Sequence, residues 1–204
     1  MRCLSGRIYD ACLGTLLKGM RRWVAGHVGR YGLYPALDLC TGTAALCRLM
    51  GGPSHSIWGL DLDRHVLRYA RSRAHHIPLV CADAAQIPFK SGVFRAVIIS
   101  YALHEKTQGM RSLMLDEARR VLDPCRGRLI VIDFEVPWDR VSRLGRMFTY
   151  LIERLAGGDH FRNGQRFVRQ GGLSAIIRDQ GLIELQSLPL AWGSSRIVVA
   201  RWPS

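Results

Sequence analysis

One pattern constrains this chain more than any other: short apolar runs that end in an acid or a serine, each followed by a helical segment. Tyr34 to Leu39, Ser56 to Leu60, Pro78 to Ala82 and Val93 to Ser100 are such runs, with Asp38, Asp61, Asp83 and Ser100 at or just past their ends. The run Val93 to Ser100 (VFRAVIIS) is β-branched and nearly unbroken, as suits a central strand buried on both faces. Helices are predicted over Arg7 to Gly29, Thr43 to Met50, Asp63 to His75 and Met110 to Leu122, and a fifth strand over Gly127 to Phe134. An amphipathic helix follows over Asp139 to Ala156, with Val141, Leu144, Phe148, Leu151 and Leu155 three and four apart. A further helix, Gln165 to Gln180, is interrupted near Gly171-Gly172. Leu182 to Leu188 and Ser195 to Trp202 close the chain as two antiparallel strands. Strand-helix alternation of this kind gives an α/β, doubly wound Rossmann-like sheet of seven strands, mostly parallel with an antiparallel C-terminal strand, and helices on both faces.

Ligands of such sheets sit at the carboxyl ends of the strands. Asp38 closes the first strand and Cys40-Thr41-Gly42-Thr43 turns the chain into a helix, with Gly42 permitting a tight bend. N–H groups at the helix start favour an electron-rich partner. Asp61 follows Asp38 by 23 residues, and an acid there can accept two hydrogen bonds from a ribose diol. Asp83-Ala84 can meet an adenine amino group. A nicotinamide dehydrogenase needs G-x-G-x-x-G, of which the turn holds only Gly42.

Four segments are similar to class I S-adenosylmethionine-dependent methyltransferases, most of all to the ubiquinone and menaquinone C-methyltransferase branch. They are ALDLCTGTAAL (Ala36 to Leu46), WGLDLDRHVLRYAR (Trp58 to Arg71), VCADAAQIPFKSGVFRAVIISYALHE (Val80 to Glu105) and EARRVLDPCRGRLIVIDF (Glu117 to Phe134). The resemblance implies that Thr43 and the Asp38–Gly42 turn, with Cys40 and Thr41, hold the methionine part of S-adenosylmethionine. It places Asp61 on the ribose, Leu62 against the adenine, Asp83-Ala84 at the adenine edge, and Ser100 and Tyr101 beneath the sulfonium. Cys40 and Ala44 stand where this family usually has glycine, and the second adds a methyl near the ligand.

Methyl transfer needs a base only if the acceptor loses a proton. His104-Glu105 is the best-placed pair, and His104 either takes that proton or packs the following helix. Asp159-His160, in a glycine-flanked loop, is the second candidate. Arg162, Arg166 and Arg169 clamp an anionic substrate or face water. A length of 204 residues suits a single domain, and the resemblance implies 1–30 as a helical lid and 135–180 as a helical substrate-side insertion. The acceptor implied is small and partly apolar, quinone-like or lipid-like.

The net charge of +13 keeps an RNA methyltransferase open as the alternative, although no basic-aromatic strip accompanies it. A non-catalytic S-adenosylmethionine-binding domain is the third reading. The six cysteines form no C-x-x-C pair, so no metal is expected. No apolar run has the ~20 residues of a membrane span, although the basic N-terminal helix allows peripheral membrane contact. The segment after Met1 lacks the apolar block of a signal peptide, so a cytoplasmic protein is expected. The oligomeric state is not legible.

Overall fold

The computed structural model describes residues 17–52, 56–145, 147 and 158–203, with backbone alone for 158–161. Among the described residues seven strands, β1 (Ala36–Leu39), β2 (Ile57–Asp61), β3 (Leu79–Cys81), β4 (Ala96–Ser100), β5 (Arg128–Phe134), β6 (Ile183–Leu190) and β7 (Ser195–Arg201), form one sheet in the order β3-β2-β1-β4-β5-β7-β6. The chain groups into two compact units. One comprises Met1–Ile98 and Asp116–Gly127, the other Ile99–Leu115 and Arg128–Ser204.

In the first unit, residues 17–30 form α1. Met20, Val24 and Val28 are buried at four-residue spacing and make its inner face. The sequence suggests an apolar stripe of Ile8, Cys12, Leu16 and Trp23 on this helix; the first three lie outside the described residues, and Trp23 is half-buried. Its ring stacks on His27 at 5.0 Å, and His27 in turn meets Tyr31 at 4.6 Å. β1 (Ala36–Leu39), β2 (Ile57–Asp61) and β3 (Leu79–Cys81) pair in parallel, with Asp38 opposite Gly59 and Asp61 opposite Cys81.

α2 (Ala45–Met50) starts two residues later than expected, because Ala44 takes a left-handed φ of 55°. α3 (Arg64–Arg71) is capped by Asp63, whose carboxylate accepts the His65 and Val66 N–H groups at 2.8 and 3.3 Å. It ends four residues short of His75. Leu67 and Ala70 are buried, while Arg64, Arg68 and Arg71 are exposed.

β4 (Ala96–Ser100) begins three residues after the expected Val93. Phe94 instead pairs with the segment that ends α4 (Gln108–Val121): its N–H donates to Val121 and its carbonyl accepts from Asp123. The ring of Phe94 is fully buried edge-on to Phe89 at 5.0 Å.

In the second unit, β7 (Ser195–Arg201) runs antiparallel to both β5 (Arg128–Phe134) and β6 (Ile183–Leu190), with a bulge at Glu184/Gln186. Residues 140–145 and 147 form the described part of α5. Val141 and Leu144, on the expected apolar stripe, are exposed there. Their partners in the predicted stripe, Phe148, Leu151 and Leu155, lie outside the described residues. α6 (Gly158–Arg169) and α7 (Gly172–Asp179) are separated at Gly171 and Gly172, both at positive φ, which is the expected interruption. α6 starts at Gly158, so Asp159 and His160 occupy a helical first turn rather than a loop.

Candidate active site

The first unit carries the strand-turn-helix at the end of β1. Cys40, Gly42 and Ala44 all have φ near +55°. The two residues that replace glycines therefore hold the left-handed backbone that glycine adopts freely, at a cost of about 1–2 kcal/mol each. The Ala44 methyl is wholly buried. A Cβ built on Gly42 meets nothing within 4 Å, so the turn is open on that side.

Two carboxylates fix this turn. Asp38 is buried and accepts the Thr41 hydroxyl at 2.7 Å and the Cys47 thiol at 3.5 Å. Burial pushes its carboxyl up to about 6, opposed by those two hydrogen bonds and reinforced by the charge of Asp61. The Cys47 thiol is raised well above its ordinary value, first by burial and then by Asp38. Asp61 accepts the Gly42 N–H at 2.8 Å on one oxygen and the Asp63 N–H at 2.9 Å on the other. An ionised carboxylate offers about four lone-pair positions. After the two backbone donors, one position on each oxygen remains for a vicinal diol. Leu62, beside it, is exposed.

At the end of β3, Ala82 N–H donates to the Asp61 carbonyl at 3.1 Å, and Asp83 accepts the Ala85 N–H at 2.9 Å. Ala84 is buried. The following loop is held from α4. Glu117 accepts the Ile87 N–H at 2.7 Å, and Arg120 donates to the Ile87 and Phe89 carbonyls at 2.8 Å. The Arg120 hydrogen bond to Glu117 lowers the Glu117 carboxyl below its ordinary value, against a smaller opposing effect of burial.

The second unit carries Ser100 at the end of β4 and the segment after it. Tyr101 has φ 51°, and its N–H donates to the Ile132 carbonyl at 2.7 Å. His104 is buried in a short 3-10 turn, Leu103–Glu105, with its ring 4.3 Å from that of Phe134. Its Nδ1 lies 2.8 Å from Asp133 Oδ1. Asp133, also buried, already accepts the N–H groups of Leu103, His104 and Phe134. Because Asp133 accepts from every side, the His104 nitrogen facing it, Nδ1, is the one that carries a proton and donates to Oδ1. Glu105 Oε1 is 4.0 Å from Nε2, and Asn163 donates to the Glu105 carbonyl at 2.9 Å. Arg111 donates to the Leu103 carbonyl at 2.9 Å and lies over the Phe167 ring.

The structure thus joins Asp38, Thr41, Gly42 and Asp61 by hydrogen bonds, with Asp83 at the neighbouring strand end. The His160 side chain lies outside the described residues. Arg162, Arg166 and Arg169 are exposed. Cys47, Glu117, Arg120 and Asp133 were not singled out from sequence. The spacing of Glu117 and Arg120 on one helix was the only signal available for that pair. Asp133 lies inside an apolar strand, where a lone acid asks for a buried partner.

The fit to a nucleoside-bearing ligand rests on the open face at Gly42 and the residual acceptors of Asp61. Residues 36–125 match the family model described as a methyltransferase domain. The fold is similar to the magnesium protoporphyrin IX methyltransferase of Synechocystis, crystallised with bound S-adenosylhomocysteine. That likeness has a TM-score of 0.64 at 18% identity, over 90% of this chain and 82% of that one. The chain is a class I, Rossmann-like methyltransferase dependent on S-adenosylmethionine. Its relatives include the ubiquinone/menaquinone biosynthesis C-methyltransferase UbiE of Cupriavidus metallidurans, 26% identical over 95% of this chain and 87% of the relative. UbiE of Bordetella avium is 34% identical over 62% of this chain and 52% of its own length.

Proposed function

We propose that this methyltransferase acts in the cytoplasm on a small, partly apolar acceptor, quinone-like or lipid-like, without a metal. The likeness to UbiE along 95% of the chain is the observation that supports this most, because it extends past the cofactor motifs into the segment 135–180.

S-adenosylmethionine supplies an already activated methyl group, so the chain's task is positioning and exclusion of water. In this reading Asp61 accepts the ribose hydroxyls with its two remaining positions. Leu62 covers the adenine, and Asp83-Ala84 meets its edge. Cys40, Thr41, Gly42 and Thr43 hold the methionine end, while Asp38 keeps the turn in shape. Ser100 and Tyr101 are assigned to the sulfonium end by resemblance. His104 accepts a proton from the acceptor at Nε2, with Asp133 fixing its tautomer; His160 is the second candidate. Residues 1–30 serve as a lid and 135–180 as a substrate-side insertion. Because Met20, Val24 and Val28 belong to the core, removing residues 1–16 alone tests the lid. S-adenosylhomocysteine affinity then falls, and unchanged affinity refutes it.

Transfer of a labelled methyl group from S-adenosylmethionine to demethylated quinols tests the acceptor class. Incorporation into the quinol supports it; incorporation only into RNA overturns it. The net charge of +13 is the one feature that favours RNA, and binding that vanishes at moderate salt would remove that alternative.

A further inference from the structure

We propose that the second unit carries a docking patch for an anionic lipid surface, formed by α5 and the turn between β6 and β7. Ser142 and Gly145 are buried and face inward, while Val141, Leu144 and Met147 are 55%, 59% and 62% exposed. With three-residue spacing, these three make one outward stripe. The apolar face of the described helix therefore points to solvent and its small residues point to the protein.

Two tryptophans extend the stripe. Trp138 is 58% and Trp192 66% exposed. Small residues bring them to the helix. A Cβ on Gly193 would lie 2.8 Å from the Trp138 ring, and a Cβ on Gly145 would lie 3.2 Å from Trp192 Cβ. Ala191 and Trp192 have φ of 45° and 54°, a backbone that L residues rarely adopt. The fold thus holds a large indole outward on a strained turn, and strain of that kind marks functional positions.

The charges around the patch select its occupant. Between residues 136 and 147 the chain has one acid, Asp139, against Arg140, Arg143 and Arg146. Arg140 and Arg143 are exposed. A second copy of this chain, itself at +13, would set arginines against arginines. RNA offers nothing to Leu144 and Met147. An anionic bilayer satisfies both parts, taking indoles and aliphatic side chains at the acyl boundary and arginines at the phosphates.

Flotation of the full chain with phosphatidylglycerol-containing and pure phosphatidylcholine vesicles tests this without any methyl acceptor, so its failure is separate from failure of the acceptor assignment. The chain is expected to float with the anionic vesicles and to shift its tryptophan emission to the blue. Leu144→Ser with Trp192→Ser weakens partitioning by at least about tenfold. Arg140→Gln with Arg143→Gln weakens it and flattens its salt dependence. The proposal is overturned if the wild type stays unbound at low salt or if both double variants float like wild type. It is equally overturned if the first double variant changes only the mass seen by light scattering, which assigns the patch to a second copy.

Discussion

Asp38→Asn separates the electrostatic cost of the cofactor turn from its geometry. Burial raises the Asp38 carboxyl from 3.8 in the reference state to about 6. The folded protein therefore binds this proton more tightly than the unfolded chain. The sign follows: the contribution to stability is fully present below the unfolded value and is lost as pH rises through about 6. That difference corresponds to about 3 kcal/mol in full, most of it developed between about pH 4 and pH 7. Asparagine keeps an oxygen for Thr41 and Cys47 but cannot ionise. Its amide has its own burial cost, which does not vary with pH. Urea unfolding of both proteins across that range isolates this contribution. The variant should gain on the wild type by about 2–3 kcal/mol from the acid to the neutral end. A difference that stays flat with pH, or moves the opposite way, refutes the reasoning.

Asp61→Ala should lose about 1.5–3 kcal/mol of S-adenosylhomocysteine binding by calorimetry, the value of charged hydrogen bonds to a diol; unchanged affinity removes Asp61 from the ribose. Gly42→Ala meets no atom within 4 Å, so it should cost about 1–2 kcal/mol of stability for its left-handed backbone. Its cofactor affinity should fall further than that, and equal affinity would mean the open face is not the binding face. Asp133→Asn should lower stability by about 2–3 kcal/mol and move the proton of His104 from Nδ1 to Nε2. Nitrogen chemical shifts of the imidazole read the tautomer, and an unchanged pattern contradicts the Asp133 assignment.

The sheet was legible because buried parallel strands announce themselves as apolar runs, and β1, β2 and β4 end where Asp38, Asp61 and Ser100 mark the change to polar rim. Strand starts were less so. Val93 and Phe94 have the composition of β4, yet the Phe94 backbone pairs with the end of α4, a choice made by tertiary contact rather than propensity. Periodicity found the stripe Val141, Leu144 but not its direction, since a helix moment shows that a face exists and not what covers it. The site was legible where chemistry sits at strand ends. It was not where a residue acts on another residue: Asp133, Cys47 and the Glu117–Arg120 pair support their neighbours across 9 to 33 positions of sequence, and such pairing exists only once the chain is folded.

The turn at Cys40–Ala44 bears on how a ligand arrives. Its three left-handed residues, its buried Asp38 anchor and the Asp61 clasp on Gly42 are all made by the protein alone. The ordering entropy of this segment is thus lost during folding and not again at binding. Association at the turn itself therefore asks no rearrangement of these residues.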